Sequence, residues 1–374
     1  MFESHNRTLT AAERFDWLRL YRSENVGPVT FFRLLEQFGS AGAALDALPE
    51  LAKRGGGKKP IQVCAKAAAE RELAALDKIG AHLLAACEPN FPPALRSLET
   101  APILTVLGHP HLLPRPMVGI VGARNASAAG RKMAQTIAAD LGRNGYLVVS
   151  GLARGIDTAS HQGSLSSGTV AVLAGGVDVV YPPENQALYD SIRAQGCVVS
   201  EMPPGTQPQA NHFPRRNRLI SGMSLGLLVV EAAAKSGSLI TARNALDQGR
   251  EIFAVPGSPL DPRCQGPNGL IRQGATLVES VDDILNVLND MLRRPLAEPP
   301  AGGFSQAPRA SVGEAELLPA RKTILQSLSP TPVTVDEIIR QCQLSPAVVS
   351  VILLELELAG RLERHSGNQV SLLP

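Results

Sequence analysis

The sequence predicts an α/β fold built on a doubly wound parallel sheet, and three observations carry that expectation. Between residues 117 and 255, six short runs rich in Val, Leu and Ile recur, nearly all followed by a helix-like segment. The runs are continuous rather than alternating, which means burial on both faces of a sheet covered by helices. Several of them end in Gly-rich turns, where a sheet of this kind places its ligand.

The runs are MVGIVG (117–122), YLVVS (146–150), TVAVLA (169–174), CVVS (197–200), LGLLVV (225–230) and EIFAV (251–255). AGRKMAQTIAADLGRNG and SLITARNALDQG are two of the helical patterns that follow them. They give a Rossmann-like domain over residues 76–290, counting its lead-in segment. Upstream, residues 1–75 read as short helices, AAERFDWLRLYRSE, TFFRLLEQFG and AGAALDAL, broken at Gly27-Pro28 and Gly39-Ser40. The turn NVGPVT before an apolar helix has the look of a SAM or helix-hairpin-helix unit. Such a hairpin either offers backbone N–H groups to a phosphate or simply packs, and packing is the favoured reading. RGGGKK (54–59) reads as a mobile basic loop. Residues 291–320 are Pro/Ala/Gly-rich without periodicity, hence a linker. Residues 321–374 read as three helices and a hairpin, the winged-helix pattern.

The 374 residues carry 36 Lys+Arg against 34 Asp+Glu, a formal +2, which excludes coating nucleic acid by bulk charge but leaves room for a local basic site. Five cysteines stand singly, with no CxxC pair and no Cys/His cluster, so no metal site is expected and the thiols read as reduced and cytosolic. The first residues, MFESHNRTLTAAERF, lack the apolar core of a signal peptide, and no run approaches the ~18 apolar residues of a membrane span. A cytoplasmic protein is expected.

The motifs favour binding. Gly122-Ala-Arg124-Asn-Ala-Ser127 sits where a Rossmann phosphate loop sits but is not GxGxxG, and the second run ends in Ser150-Gly151 with no ribose-binding acid. No dinucleotide cofactor is expected. SGLARGID (150–157) is a second Gly-rich loop, with Arg154 as a fork donor and Asp157 read as a helix cap. AGGVDVVYPPEN (174–185) is a third, with Asn185 read as a cap. EMPPGTQPQANHFPRRNRLISG (201–222) reads as a long loop that gathers His212, Phe213, Arg215, Arg216 and Arg218, the basic-aromatic combination that holds single-stranded nucleic acid. Lys235 before Ser236-Gly237-Ser238 makes a phosphate cradle at a helix start. Glu231 is open to three roles, as a base, a sugar ligand or the partner of a neighbouring Arg, with the last favoured. His161 is a base or a packed side chain, with packing favoured. There is no GxSxG, HExxH, GxxxxGK[ST] or paired-carboxylate motif, so no catalytic residue is assigned.

At these residues the chain resembles the DprA (DNA-processing protein A, or Smf) family of natural transformation and competence. VGARNAS, VVSGLARGIDTASH, GTVAVLAGGVDVVYPPEN, SEMPPGTQP, FPRRNRLISG, VVEAAAKSGSLITARNALDQGREIFAVPG and GPNGLIRQGA carry the resemblance, which covers nearly the whole chain. It implies an extended Rossmann-like doubly wound sheet between an N-terminal helical domain and a C-terminal winged helix. It also implies a DNA-binding protein, not an enzyme, that takes single-stranded DNA, protects it and helps load the RecA recombinase. It implies a homodimer that needs no cofactor. Carried over by motif, the DNA-binding residues are Gly122 and Arg124; Ser150, Gly151 and Arg154; Phe213, Arg215, Arg216, Asn217 and Arg218; and Lys235, Ser236, Gly237 and Ser238. HQGSLSSG after His161 departs from the family's Ala-Leu there, which bears on helix packing.

The winged helix carries no basic excess. Arg321, Lys322, Arg340, Arg361 and Arg364 face Asp336, Glu337, Glu355, Glu357 and Glu363, and its long helix VVSVILLELELAG is apolar and acidic. A duplex-reading helix is basic, so this domain is expected to contact protein or tune the dimer. A second reading, from another class, is a nucleotide-processing enzyme of the nucleoside monophosphate hydrolase kind. The PGGxGTxxE run of that group is missing, and Glu231 or His161 would have to serve. A third is a scaffold for partner proteins.

Overall fold

The computed structural model describes residues 7–57, 59–98, 100–293, 314–365 and 367–373. They form two compact units, one of residues 7–10 and 70–293, the other of residues 11–69 and 314–373.

The chain opens with α1 (Ala11–Tyr21), α2 (Pro28–Phe38), α3 (Ala41–Arg54) and α4 (Lys66–Ile79). Pro28 begins α2, where its missing N–H costs nothing, and Gly39 ends it in the left-handed conformation at φ 75°. Trp17, Tyr21 and Phe32 meet the fully buried Phe31 edge-on, with ring centroids 5.0, 6.0 and 5.7 Å away.

The sheet unit follows with β1 (His82–Ala85), α5 (Pro93–Arg96), β2 (Ile103–Gly108), β3 (Met117–Val121), α6 (Ala128–Arg143), β4 (Leu147–Ser150), α7 (Ile156–Ser164) and β5 (Thr169–Val172). It continues through α8 (Gln186–Gln195), β6 (Cys197–Ser200), α9 (His212–Met223), β7 (Gly226–Val229), α10 (Gly237–Asp247), β8 (Glu251–Ala254), α11 (Gln265–Arg272), β9 (Thr276–Leu277) and α12 (Val281–Arg293). The strand order is β1-β2-β6-β5-β4-β3-β7-β8-β9, parallel from β6 through β9. The six expected runs are all strands. Beyond the expected parallel sheet, β1 and β2 extend it antiparallel past β6.

Burial on both faces explains the continuous apolar runs. Val118 and Ile120 of β3 join Ala134, Ile137, Ala138 and Leu141 of α6 in one core, which α12 completes through Ile284 and Leu288. Gly119, on the opposite pleat, turns to α9: a β-carbon there would stand 2.8 Å from Ser224 Oγ and 3.6 Å from Ile220 Cγ2.

In the other unit, α13 (Glu314–Ser327), β10 (Val333–Thr334), α14 (Val335–Cys342), α15 (Pro346–Leu358), β11 (Leu362–His365) and β12 (Gln369–Leu372) form the expected winged helix, with sheet order β10-β12-β11. Ten residues read as linker, 291–293 and 314–320, are helical; residues 294–313 of that stretch lie outside the described residues. α15 is buried nearly all round: Val348, Val349, Ile352, Leu353, Leu354, Glu355, Leu356 and Leu358 are inaccessible. It packs on α13 and α14 and also on α2 and α3. Asn25 Nδ2 donates to the Leu358 carbonyl at 3.1 Å, and Arg361 Nη1 to the Gly55 carbonyl at 3.2 Å. The stretch read as a mobile basic loop is therefore anchored at Gly55 and Gly56; its Lys58 lies outside the described residues. The buried Glu355 carboxylate is neutralised by Arg321, whose Nε lies 3.1 Å away. Among the described residues no single helix is long and apolar enough to cross a membrane.

Candidate functional site

The chain order reverses between β3 and β7, and in an open α/β sheet the crevice above the carboxyl ends at such a point takes the ligand. A cleft of about 790 Å³ lies there, lined by the loop after β3, the loop after β4, one face of α9 and the start of α10.

The α9 wall follows from helical spacing. Phe213, Arg216, Asn217 and Ile220 stand three or four residues apart and so share one face, which lines the cleft. Residues 212–223 are thus helix, not the loop the sequence suggests, and the rotation separates the arginines. Arg215 is exposed and outside the lining. Arg218 turns back to Glu201 and the Thr100 carbonyl.

Phe213 is flanked by cations: the Arg124 guanidinium lies 5.5 Å from its ring centroid and that of Arg216 6.0 Å. Tyr181 meets the same ring edge-on at 5.8 Å. Arg124 and Lys235 are exposed, whereas Arg216 is buried with no partner for its Nε. Burial pushes the Arg216 pKa down and Asp157 pulls it up. Asp157, also buried, has its carboxyl raised by desolvation, against the pull of Arg216 and of backbone donors.

The second loop is braced from within. Asp157 does not cap its helix; its Oδ2 accepts the amides of Gly151 at 3.1 Å and Ala153 at 3.3 Å. Asn185 stands at the N-cap position of α8 without capping it, and its Nδ2 donates to the Leu152 carbonyl at 2.8 Å. These bonds hold Leu152 at φ 56°, a left-handed conformation that costs a non-glycine residue about 1–2 kcal/mol. Ser150 is fully buried and its hydroxyl donates to the Ile120 carbonyl at 2.6 Å. Arg154 lies outside the lining, 3.6 Å from Glu184, both more than half exposed.

The third element is the start of α10. Ser236 caps it, accepting from the Ser238 amide at 3.3 Å, and Ser238 Oγ donates to the Gly122 carbonyl at 3.0 Å, which ties the α10 start to the first loop. Glu231, read as the partner of an arginine, instead accepts from the Ser127 amide at 2.9 Å and the Ser127 hydroxyl at 2.5 Å. His161 is fully buried, 2.9 Å from Thr169 Oγ1.

Of the residues singled out in the sequence, the cleft gathers Gly122, Arg124, Phe213, Arg216, Asn217, Lys235, Ser236, Gly237 and Ser238. Ser150, Gly151, Arg154, Arg215 and Arg218 are not in its lining. It adds Arg263, held by Asp261 through Nη2 at 2.7 Å, which the sequence reading missed. The available signal was VPGSPLDPR, a Gly/Pro loop at the carboxyl end of β8. Charged lining residues are then four cations and one carboxylate, a site for a polyanion.

Fold and cleft together define a Rossmann-like protein with a cationic, aromatic-walled cleft at the switch point of its sheet. The chain belongs to the DprA family: residues 82–289 match the model for DNA recombination-mediator protein A. Residues 11–75 match the DprA-like N-terminal HHH domain and residues 306–368 the DprA winged helix domain. The chain is 44% identical over 222 residues to DNA processing protein DprA of Bacillus subtilis, covering 58% of this chain and 75% of that one. It is 39% identical over 309 residues to Protein Smf of Escherichia coli, covering 81% and 80%. DNA processing protein A from Streptococcus pneumoniae superposes with TM-score 0.62 at 34% identity, covering 75% of this chain and 98% of that one. The Helicobacter pylori protein, whose structure is described for its single-stranded DNA binding mode, superposes with TM-score 0.52 at 27% identity, covering 56% and 96%.

Proposed function

We propose that this protein binds single-stranded DNA in the cleft, protects the incoming strand and loads RecA recombinase onto it during natural transformation and recombination. It acts as a homodimer in the cytoplasm, by binding and not by catalysis, and without a cofactor. The observation that carries the reading is the Phe213 ring with the Arg124 and Arg216 guanidinium groups 5.5 and 6.0 Å from its centroid. An aromatic face takes an unstacked base, and fixed cations beside it take the flanking phosphates, which is how single strands are held without reading their sequence. The single-stranded DNA binding described for the Helicobacter pylori relative supports it, and family membership supports the recombination role. The nucleotide-enzyme reading is weakened because its two candidate bases are engaged, Glu231 by Ser127 and His161 by Thr169.

The test is a titration of labelled single- and double-stranded oligonucleotides across a range of salt. Single strands are expected to bind more tightly, with affinity falling steeply as salt rises. Lys235→Ala is expected to weaken binding and lower the salt slope by about 1. Unchanged binding in Arg124→Ala, Arg216→Ala and Lys235→Ala alike would move the site elsewhere.

A further inference from the structure

Three amide-rich helix starts surround the strand ends, those of α6, α7 and α10. In a doubly wound fold each is a place for a nucleotide phosphate. They differ in what already fills them. At α6 the Glu231 carboxylate, on a side chain only 6% exposed, takes both the amide and the hydroxyl of the cap residue Ser127. It reaches into the first turn: a β-carbon on Gly130 would stand 2.6 Å from Glu231 Cδ and Oε1. Before α7 the amides of Gly151 and Ala153 go to Asp157. At α10 the cap is the neutral hydroxyl of Ser236, and the exposed Lys235 stands beside it.

We infer that Glu231 is a built-in substitute for phosphate that closes the α6 start to nucleotide and pyrophosphate groups, leaving the α10 start with Lys235 as the phosphate contact. A free nucleotide seeking the usual Rossmann position meets a buried carboxylate already satisfied by the donors it needs, and like charge repels it. A phosphodiester strand laid along α9 and α10 needs no contact there. The same cleft cations attract both ligands, so Glu231 is the group that separates polymer from mononucleotide. The assignment of the strand to α10 rests on the strand-binding reading, whereas the closure of the α6 start concerns Glu231 alone and is tested apart from it.

The test uses full-length protein carrying Lys235→Ala, which removes the contact assigned to the α10 start and leaves Arg124, Arg216 and Arg263 common to every variant compared. Thermal melting of this parent, of its Glu231→Ala derivative and of its Glu231→Gln derivative is followed in sodium pyrophosphate and in sodium chloride of equal ionic strength. Glu231→Ala, which empties the space, is expected to melt several degrees higher in pyrophosphate than in chloride. The parent and Glu231→Gln, whose amide still fills the space and bonds Ser127, are expected to show only the smaller, equal difference that the remaining cleft cations produce. The same response in all three, or none in Glu231→Ala, overturns the inference. If Glu231→Ala does not fold unaided, its refolding yield in the two salts is compared with the parent's: a larger gain in pyrophosphate than the parent's supports the inference, and an equal gain overturns it.

Discussion

The guanidinium of Arg216 occupies the space that any side chain at position 151 would need: a β-carbon on Gly151 would stand 1.3 Å from Nη1 and 2.4 Å from Cζ. Gly151 therefore acts at one remove from the cleft, by admitting the buried cation that backs Phe213. Gly151→Ala is expected to push Arg216 out, at an overpacking cost of about 1–3 kcal/mol. Single-strand affinity should fall about tenfold, or ~1.4 kcal/mol, read by fluorescence anisotropy of a labelled oligonucleotide. Unaltered affinity in the folded variant would show that Arg216 has no part in binding.

Phe213 and Arg124 make a second pair whose separation is testable. Their 5.5 Å contact holds an exposed arginine over the ring face that a base would share. Phe213→Ala is expected to weaken single-strand binding by about 1–3 kcal/mol for each base stacked, and duplex binding much less. Phe213→Tyr should retain the preference. A preference for single strands that survives Phe213→Ala would assign it to another group.

His161 predicts a pH dependence of stability. Thr169 Oγ1 donates its hydrogen to the Val148 carbonyl and so accepts from His161 Nδ1, which leaves Nε2 unprotonated and buried without a partner. Burial, reinforced by the Arg216 charge, pushes this imidazole down to about 3. The unfolded chain, with an imidazole near 6.5, takes the proton first. Stability is then complete above about pH 6.5 and is lost as pH falls towards 3, by up to ~1.4 kcal/mol per unit. The raised Asp157 carboxyl opposes this only between its unfolded value, about 3.9, and its raised folded value, where the folded chain protonates first. Urea unfolding between about pH 7 and pH 5 should show the decline, and His161→Gln should flatten it. A slope unchanged in that variant would rule out His161 as its source.

The helical and winged-helix segments give a prediction of a different kind. A β-carbon on Gly55 would stand 2.0 Å from the Glu355 carbonyl oxygen, between α3 and α15. Gly55→Ala is expected to destabilise their packing by about 1–3 kcal/mol and to expose residues 314–373 to limited proteolysis. Oligonucleotide affinity should stay within about twofold, since no described residue of this unit lines the cleft. A large loss of affinity would give the unit a part in binding.

Much of this was legible in the sequence where a pattern and its cause coincide. The parallel strands betrayed themselves as unbroken Val and Leu because both faces are covered. The loops of Arg124 and of Lys235 were readable because Gly and Ser follow strand-like runs. The arginines of α9 were not resolved. His-Phe-Pro-Arg-Arg-Asn-Arg follows a Pro/Gly-rich stretch and shows few apolar residues, so its helical period is hidden; only the helix sends Arg216 inward and Arg218 to Glu201. HLLA and ILTVLG, now β1 and β2, lack the long following helices that marked the other strands, β1 being followed only by the four-residue α5. The partners of Glu231 and Asn185 lie across chain connections that spacing alone does not reveal, and Asp157 reaches back within its own loop in place of capping the helix ahead.

The connectivity around α9 has a mechanical consequence. The chain passes once between the β1–β6 part of the sheet and β7–β9, along residues 201–225, and α9 lies on that passage. Otherwise the two parts of the sheet are joined along its plane by the four residue pairs of β3 and β7. In the proposed function, a pull on a strand held by Phe213 and Arg216 enters the covalent bridge itself, along a peptide chain tied back by Arg218 to Glu201, while contacts of the same strand with Arg124 and Lys235 load the loops after β3 and β7 on either side of it.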